Sequence, residues 1–129
     1  VTTEDILDDL VAITYGTGYT TVEKFQVHED DFQDFTTFPL IVVESGPENS
    51  QPFANKRTET TFHPSVHLYI EDASVDTIEG WRDNIRNAIY NSSTLRGHAN
   101  SVAIDEIEVL EPENRKLAHM KFNLSINFD

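Results

Sequence analysis

The longest unbroken alternation in the chain runs over residues 116–128. Ala118, Met120, Phe122, Leu124, Ile126 and Phe128 fall on one parity. Leu117, His119, Lys121, Asn123, Ser125 and Asn127 fall on the other. A period of two predicts a strand with one apolar face, and such a face needs a cover. The stretch 74–90 offers one. Behind Ser74 as N-cap, Val75, Ile78, Trp81, Ile85, Ala88 and Ile89 recur at helical spacing. Asp76, Glu79, Arg82 and Arg86 lie mostly off that face, and each arginine follows an acid, Glu79 or Asp83, by one turn. At the start of the chain, Ile6, Leu7, Leu10, Val11 and Ile13 predict an amphipathic helix over 3–14. Thr2 or Thr3 caps it, and Glu4 and Asp5 suit the positive end of its dipole.

Between the two helices the pattern is that of strands. Residues 19–27 are rich in Thr, Tyr, Phe and Val. The run from Phe38 to Glu44 is continuously apolar until its last residue, which suits a strand buried on both faces. From Ser45 to Lys56 the composition turns to Gly, Pro, Asn, Ser and Gln, predicting a long loop or the tip of a long hairpin. Residues 57–70 read as a strand again. Phe62, Val66, Leu68 and Ile70 share one parity, and Arg57, Glu59, His63 and His67 take the other. Pro64 cannot donate to a ladder and so requires an edge or a bulge. Asn91 to Gly97 ends the second helix. Val102 and Ile104 then alternate, and Ile107 and Val109 resume with opposite parity, predicting a bulge near Asp105–Glu106. Glu111 to Arg115 make the last turn. The order α-β-β-β-α-β-β predicts an α+β fold, a mixed and mostly antiparallel sheet with two helices packed on one face. A length of 129 residues fits a single domain, 1–129.

Charge narrows the partners. Asp and Glu number 23 against 9 Lys and Arg, a formal net charge of −14. Phosphate recognition needs cations, so specific nucleic-acid binding is not expected. Such acidity keeps copies soluble and mutually repelling. It also suits a surface that faces DNA without gripping it, or a high-salt source. With no apolar run of membrane-spanning length, no membrane contact is expected, and the acidic start is wrong for a signal peptide. Cysteine is absent, which removes disulfides, thiolate nucleophiles and Cys-based zinc sites.

Searching for chemistry yields little. Gly16-Thr17-Gly18 reads as a helix stop, because no further glycines and no Lys follow to build a phosphate loop. Neither Gly-x-Ser-x-Gly nor His-Glu-x-x-His occurs. His63 and His67 would share a metal only on a helix. On a strand they stand roughly 13 Å apart and read as surface histidines. His28 beside Glu29, Asp30 and Asp31 lacks the spacing and glycine of a calcium loop and reads as part of an acidic loop, 28–37, with Phe32 and Phe35. Asn91-Ser92-Ser93 and Asn123-Leu124-Ser125 are chance matches to the glycosylation pattern. No catalytic residue, metal or cofactor is expected, and no enzymatic activity.

The order of segments carries a resemblance. An amphipathic helix is followed by FPLIVVE, a long polar loop, RTETTFHPSVHLYIED, the helix VDTIEGWRDNIRNAIY and the hairpin SVAIDEIEVLEPENRKLAHMKFNLSINFD. Over nearly its whole length the chain resembles the tail terminator, or tail completion, proteins of long-tailed phages and related tailed viruses. The resemblance implies a virion protein assembled in the host cytoplasm. Its copies form a homo-oligomeric ring, a hexamer, that caps the tail tube protein and joins it to a head or neck connector protein. DNA passes through without specific binding. Two other classes remain open: a head–tail connector or neck protein, and a small α+β ligand-binding or enzyme domain. For the ring, candidate interface residues are Pro52, Phe53, Asn55, Lys56 and Arg57. An aromatic anchor beside a basic pair is a favoured contact type, and the acidic patch Glu29, Asp30, Asp31 and Asp34 of the next copy is its candidate counterpart.

Overall fold

The structure, a computed structural model, describes residues 1–24, 38–52, 58–71, 74–110 and 117–129. The first helix, α1, spans Thr3–Ala12, with Thr2 and Asp5 closing a reciprocal capping box. The Thr2 amide holds the Asp5 carboxyl below its usual range. Strand β1 is Thr20–Lys24, β2 Leu40–Glu44, β3 Glu48–Pro52, β4 Thr58–Phe62 and β5 Ser65–Glu71. Helix α2 is Val75–Asn91 and a short α3 is Ser93–His98. The chain closes on β6, Ser101–Leu110, and β7, Leu117–Phe128. The fold is α+β, with a seven-stranded sheet that is antiparallel except for the β1–β2 pair.

The seven strands lie in five lanes. Against β7, Thr60 opposes Phe128 and Ser65 opposes Asn123, the same frame five residues on along both segments. Strands β4 and β5 are therefore one lane, interrupted at His63–Pro64 where proline has no N–H to give. Strands β2 and β3 form the lane beside it. From Glu44↔Ser65 to Glu48↔Phe62 one side advances four residues and the other three. The extra residue sits in Ser45-Gly46-Pro47, a bulge facing the proline break. Gly46 is needed there, since a Cβ would stand 1.9 Å from the His63 carbonyl oxygen. Segments 40–52 and 58–71 are thus the two legs of a long hairpin. Its pairs Gln51↔Glu59 and Pro52↔Thr58 lie beyond Phe128, the last β7 residue paired to β4.

The apolar parities meet on one face. Ile41 and Val43 of β2, Phe62 of β4, and Val66, Leu68 and Ile70 of β5 join the even residues Met120 to Phe128 of β7. Ile6, Leu7 and Leu10 of α1, Ile85 and Ile89 of α2, and Leu95 of α3 pack into the same cluster. His98 Nδ1 donates to the buried Asp9 carboxylate at 2.6 Å, tying α3 to α1. The Tyr15 hydroxyl donates to the Leu10 carbonyl at 2.6 Å, and burial raises its pKa far above the phenolic range.

Several expectations change. Helix α1 ends at Ala12, before Gly16-Thr17-Gly18. The glycines instead shape the approach to β1: Gly18 holds a positive φ of 69°, and a Cβ on Gly16 would meet Trp81 at 2.9 Å. Of the two readings of 45–56, loop or hairpin tip, Glu48–Pro52 takes the second: it is a strand, because β4 supplies its partner. Residues 93–98 form a helix capped by Ser92 where a simple stop is expected. Val75 is 71 % exposed, so the apolar stripe of α2 begins one turn before the helix reaches the core at Ile78. Arg86 does pair with Asp83, at 2.7 Å, and Arg82 Nε stands 3.9 Å from that same carboxylate. The bulge falls as expected, between Ile104 and Glu106. The acidic loop 28–37 and the turn at Glu111–Arg115 lie outside the described residues.

Candidate functional site: the polar face of the sheet

The sheet's second face carries the opposite parity of β2, β5 and β7, and its polar side chains form rows across the strands. In the first row the Thr61 hydroxyl donates to Asn127 Oδ1 at 2.6 Å, and Asn127 Nδ2 donates to Ser101 Oγ at 2.8 Å. The second row joins His63, Ser125 and Asp105. The Ser125 hydroxyl donates to the Asp105 carboxylate, and His63 Nδ1 lies 3.0 Å from the Ser125 Oγ. Asp105 reaches this row because it is the extra residue of the β6 bulge. In the third row Ser65 Oγ donates to Asn123 Oδ1 at 3.3 Å.

The last rows are buried. Glu44 Oε1 is 3.1 Å from His67 Nε2, and His67 Nδ1 is 2.7 Å from His119 Nε2. His67 and His119 retain 3 % and 7 % of their exposure. Their ring centroids are 5.0 Å apart with planes 25° from parallel. That separation is about the N···N distance plus two ring radii, so the nitrogens meet nearly in line, as an N–H···N bond prefers. The proton order follows. A carboxylate only accepts, so His67 carries its hydrogen on Nε2. Neutral His67 then offers a bare Nδ1, and His119 donates to it from Nε2. Tyr69 stacks on His119 with centroids 4.2 Å apart.

Burial lowers the pKa of His67, against the opposing pull of Glu44. Burial, with His67 and Lys121 adding to it, lowers His119 to about 4. Both imidazoles are therefore neutral at pH 7. Beside this relay lies an open cavity of about 520 Å³ bordered by Glu44, Gly46, His63, Ser65, Lys121 and Asn123. It sits at the paired bulge and proline break, where the strands part.

The arrangement does not match a nucleophilic site. The Ser125 proton goes to Asp105, and His63 bonds to Ser125 rather than being oriented by the acid. Among the described residues no group of three His, Asp or Glu could hold a metal ion, and no helix is long and apolar enough to cross a membrane. His63 lies in the break between β4 and β5 and His67 within β5, each with different partners, and His67 is buried, which overturns its reading as a surface histidine. Of the candidate interface residues, Pro52 is exposed at the end of β3. Phe53, Asn55, Lys56 and Arg57, with Glu29, Asp30, Asp31 and Asp34, lie outside the described residues. Sequence reasoning passed over His119, whose alternation places it among outward-facing polar residues. The only available signal was two histidines on strands with the same facing parity.

No protein-family model matches the chain, and no curated protein matches it. Among solved structures, it is similar to a chain in the virion of a native gene transfer agent particle, at 11 % identity and a TM-score of 0.49. The superposition covers 95 % of this chain and 84 % of that one. A likeness of that depth assigns no role to any residue here.

Proposed function

We propose that this chain is a structural subunit of a tailed, phage-like virion, a tail terminator whose copies form a hexameric ring. The ring caps the tail tube protein and meets a head or neck connector protein, and DNA passes through its channel without being specifically bound. The observation that carries this reading is the long hairpin. Its β3–β4 end projects past the last residue that β7 pairs to it, and β3 is an exposed sheet edge. A projecting arm on one side of a compact body suits a head-to-tail contact that repeats until it closes. The segment order of the resemblance to tail terminators supports the same reading.

In this reading Pro52, Phe53, Asn55, Lys56 and Arg57 reach the neighbouring copy. There the Lys56–Arg57 pair meets the acidic patch Glu29, Asp30, Asp31 and Asp34. The chain acts as one folding unit, without catalysis, and resides in the virion. The open cavity beside Glu44 is the one observation that favours a ligand-binding domain. It stands open to solvent, whereas small-molecule sites are chiefly enclosed and bury most of their ligand. Electron microscopy of the purified protein, alone and with tail tubes, tests the proposal. Closed rings, or caps on tube ends with the arm on the adjacent copy, are expected. A lone monomer in the assembled particle, or an arm directed into bulk solvent, overturns it.

A further inference from the structure

Part of the polar face is apolar and closed to solvent. Leu40 and Val42 of β2 and Tyr69 of β5 lie on the parity of Glu44, His67 and His119. Leu40 and Val42 have no exposed surface and Tyr69 keeps 2 %, yet none belongs to the cluster beneath the helices. The buried apolar residues of α1, α2 and α3 all pack on the other side of the sheet, so these three need a cover from outside the described residues. Four stretches of chain lie there. Asp72-Ala73 is too short, and residues 111–116 carry polar and charged side chains and one proline. Residues 53–57 follow the arm's end, and along their lane Thr58 and Tyr69 stand roughly 36 Å apart. Residues 25–37 remain, with Phe25, Val27, Phe32 and Phe35 to contribute.

Chain direction points the same way. Strands β5 and β6 both run antiparallel to β7, so they are parallel, and α2 and α3 join them across the helix-bearing face. Strands β1 and β2 are parallel too, and run opposite to β5. In both connections the chain steps from the β1 edge toward the β6 edge. Equal steps taken along opposite strand directions share one hand only when they pass over opposite faces. Crossovers between parallel strands are right-handed almost without exception, which assigns the β1–β2 connection to the face without helices. The segment 25–37 supplies the length of about a dozen residues that such a crossing needs. We infer that residues 25–37 cross the polar face and seat Phe32 and Phe35 on Leu40, Val42 and Tyr69. The acids Glu29, Asp30, Asp31 and Asp34 then point outward, because an unpaired carboxylate resists burial. The acidic patch is thus offered to cationic partners from the side opposite the helices. This placement concerns a single chain and does not rest on the ring.

Because the chain has no cysteine, Asp34→Cys carries a nitroxide at one known position. In NMR spectra of the full chain, the label should broaden the ring signals of Tyr69 and His119 far more than the methyl signals of Ile85 and Ile89, which lie beyond the sheet. Such broadening falls with the sixth power of distance, so an added layer of about 10 Å should separate the two sets by roughly tenfold or more. Asp31→Cys should give the same contrast. A mixed sample, with the nitroxide on one copy and the isotope on another, should leave Tyr69 and His119 sharp. Broadening of Ile85 and Ile89 equal to or above that of Tyr69 and His119 overturns the proposal. So does broadening of Tyr69 and His119 that is as strong in the mixed sample, which would make a second copy the cover.

Discussion

The two faces of this sheet use different physics to bury the same three strands. On one face Val43, Val66 and Phe122 line up across β2, β5 and β7 beneath the helices. Contact there is undirected: any side chain of suitable shape and volume stabilises it. On the other face Val42, His67 and Lys121 occupy the neighbouring row, and stability rests on directed bonds that each need a specific partner in a specific protonation state. The first face should therefore respond to volume and ignore pH, and the second should do the reverse.

Truncating the covered face has the largest expected effect. Phe122 is fully buried, and Phe122→Ala should cost about 3–5 kcal/mol in chemical denaturation. A wild-type midpoint for this variant would remove the basis for the comparison. Gly46→Ala comes next. Its Cβ would lie 1.9 Å from a backbone oxygen, so the bulge must shift, at about 2–3 kcal/mol. The loss should be accompanied by changed amide shifts at His63 and Glu44.

The third test uses pH. His67 and His119 have folded pKa values below the unfolded value of 6.5, so an unfolded chain binds protons that the folded one refuses. The His119 contribution is full above pH 6.5 and is lost as pH falls from there to about 4, and that of His67 is lost in the same direction. Melting of the wild type against His119→Phe should reveal about 2 kcal/mol of excess acid sensitivity over that window. Equal slopes would show that the second face is not governed by the relay. The smallest effect belongs to the exposed rows. Asn127→Ala loses bonds to Thr61 and Ser101 and should cost about 1 kcal/mol, read from the same denaturation curves. A larger loss would mean that the rows act as one network.

Periodicity determined α1, α2 and β7, because an amphipathic element must turn its apolar positions one way wherever its cover comes from, and an unbroken apolar run marked β2 as a strand buried on both faces. It also placed the β6 bulge, since a parity slip between Ile104 and Ile107 leaves no other way to keep both residues facing inward. Only the tertiary structure decided the rest. The composition of Glu48–Pro52 left loop and hairpin tip both open, and the ladder that β4 offers decides for the strand. His67 and His119 lie 52 positions apart and each looks like an outward polar residue until β5 and β7 are paired in register. Alternation states which face a side chain takes. Whether that face is wet, and which partner stands across it, depends on strands that meet only when the chain folds.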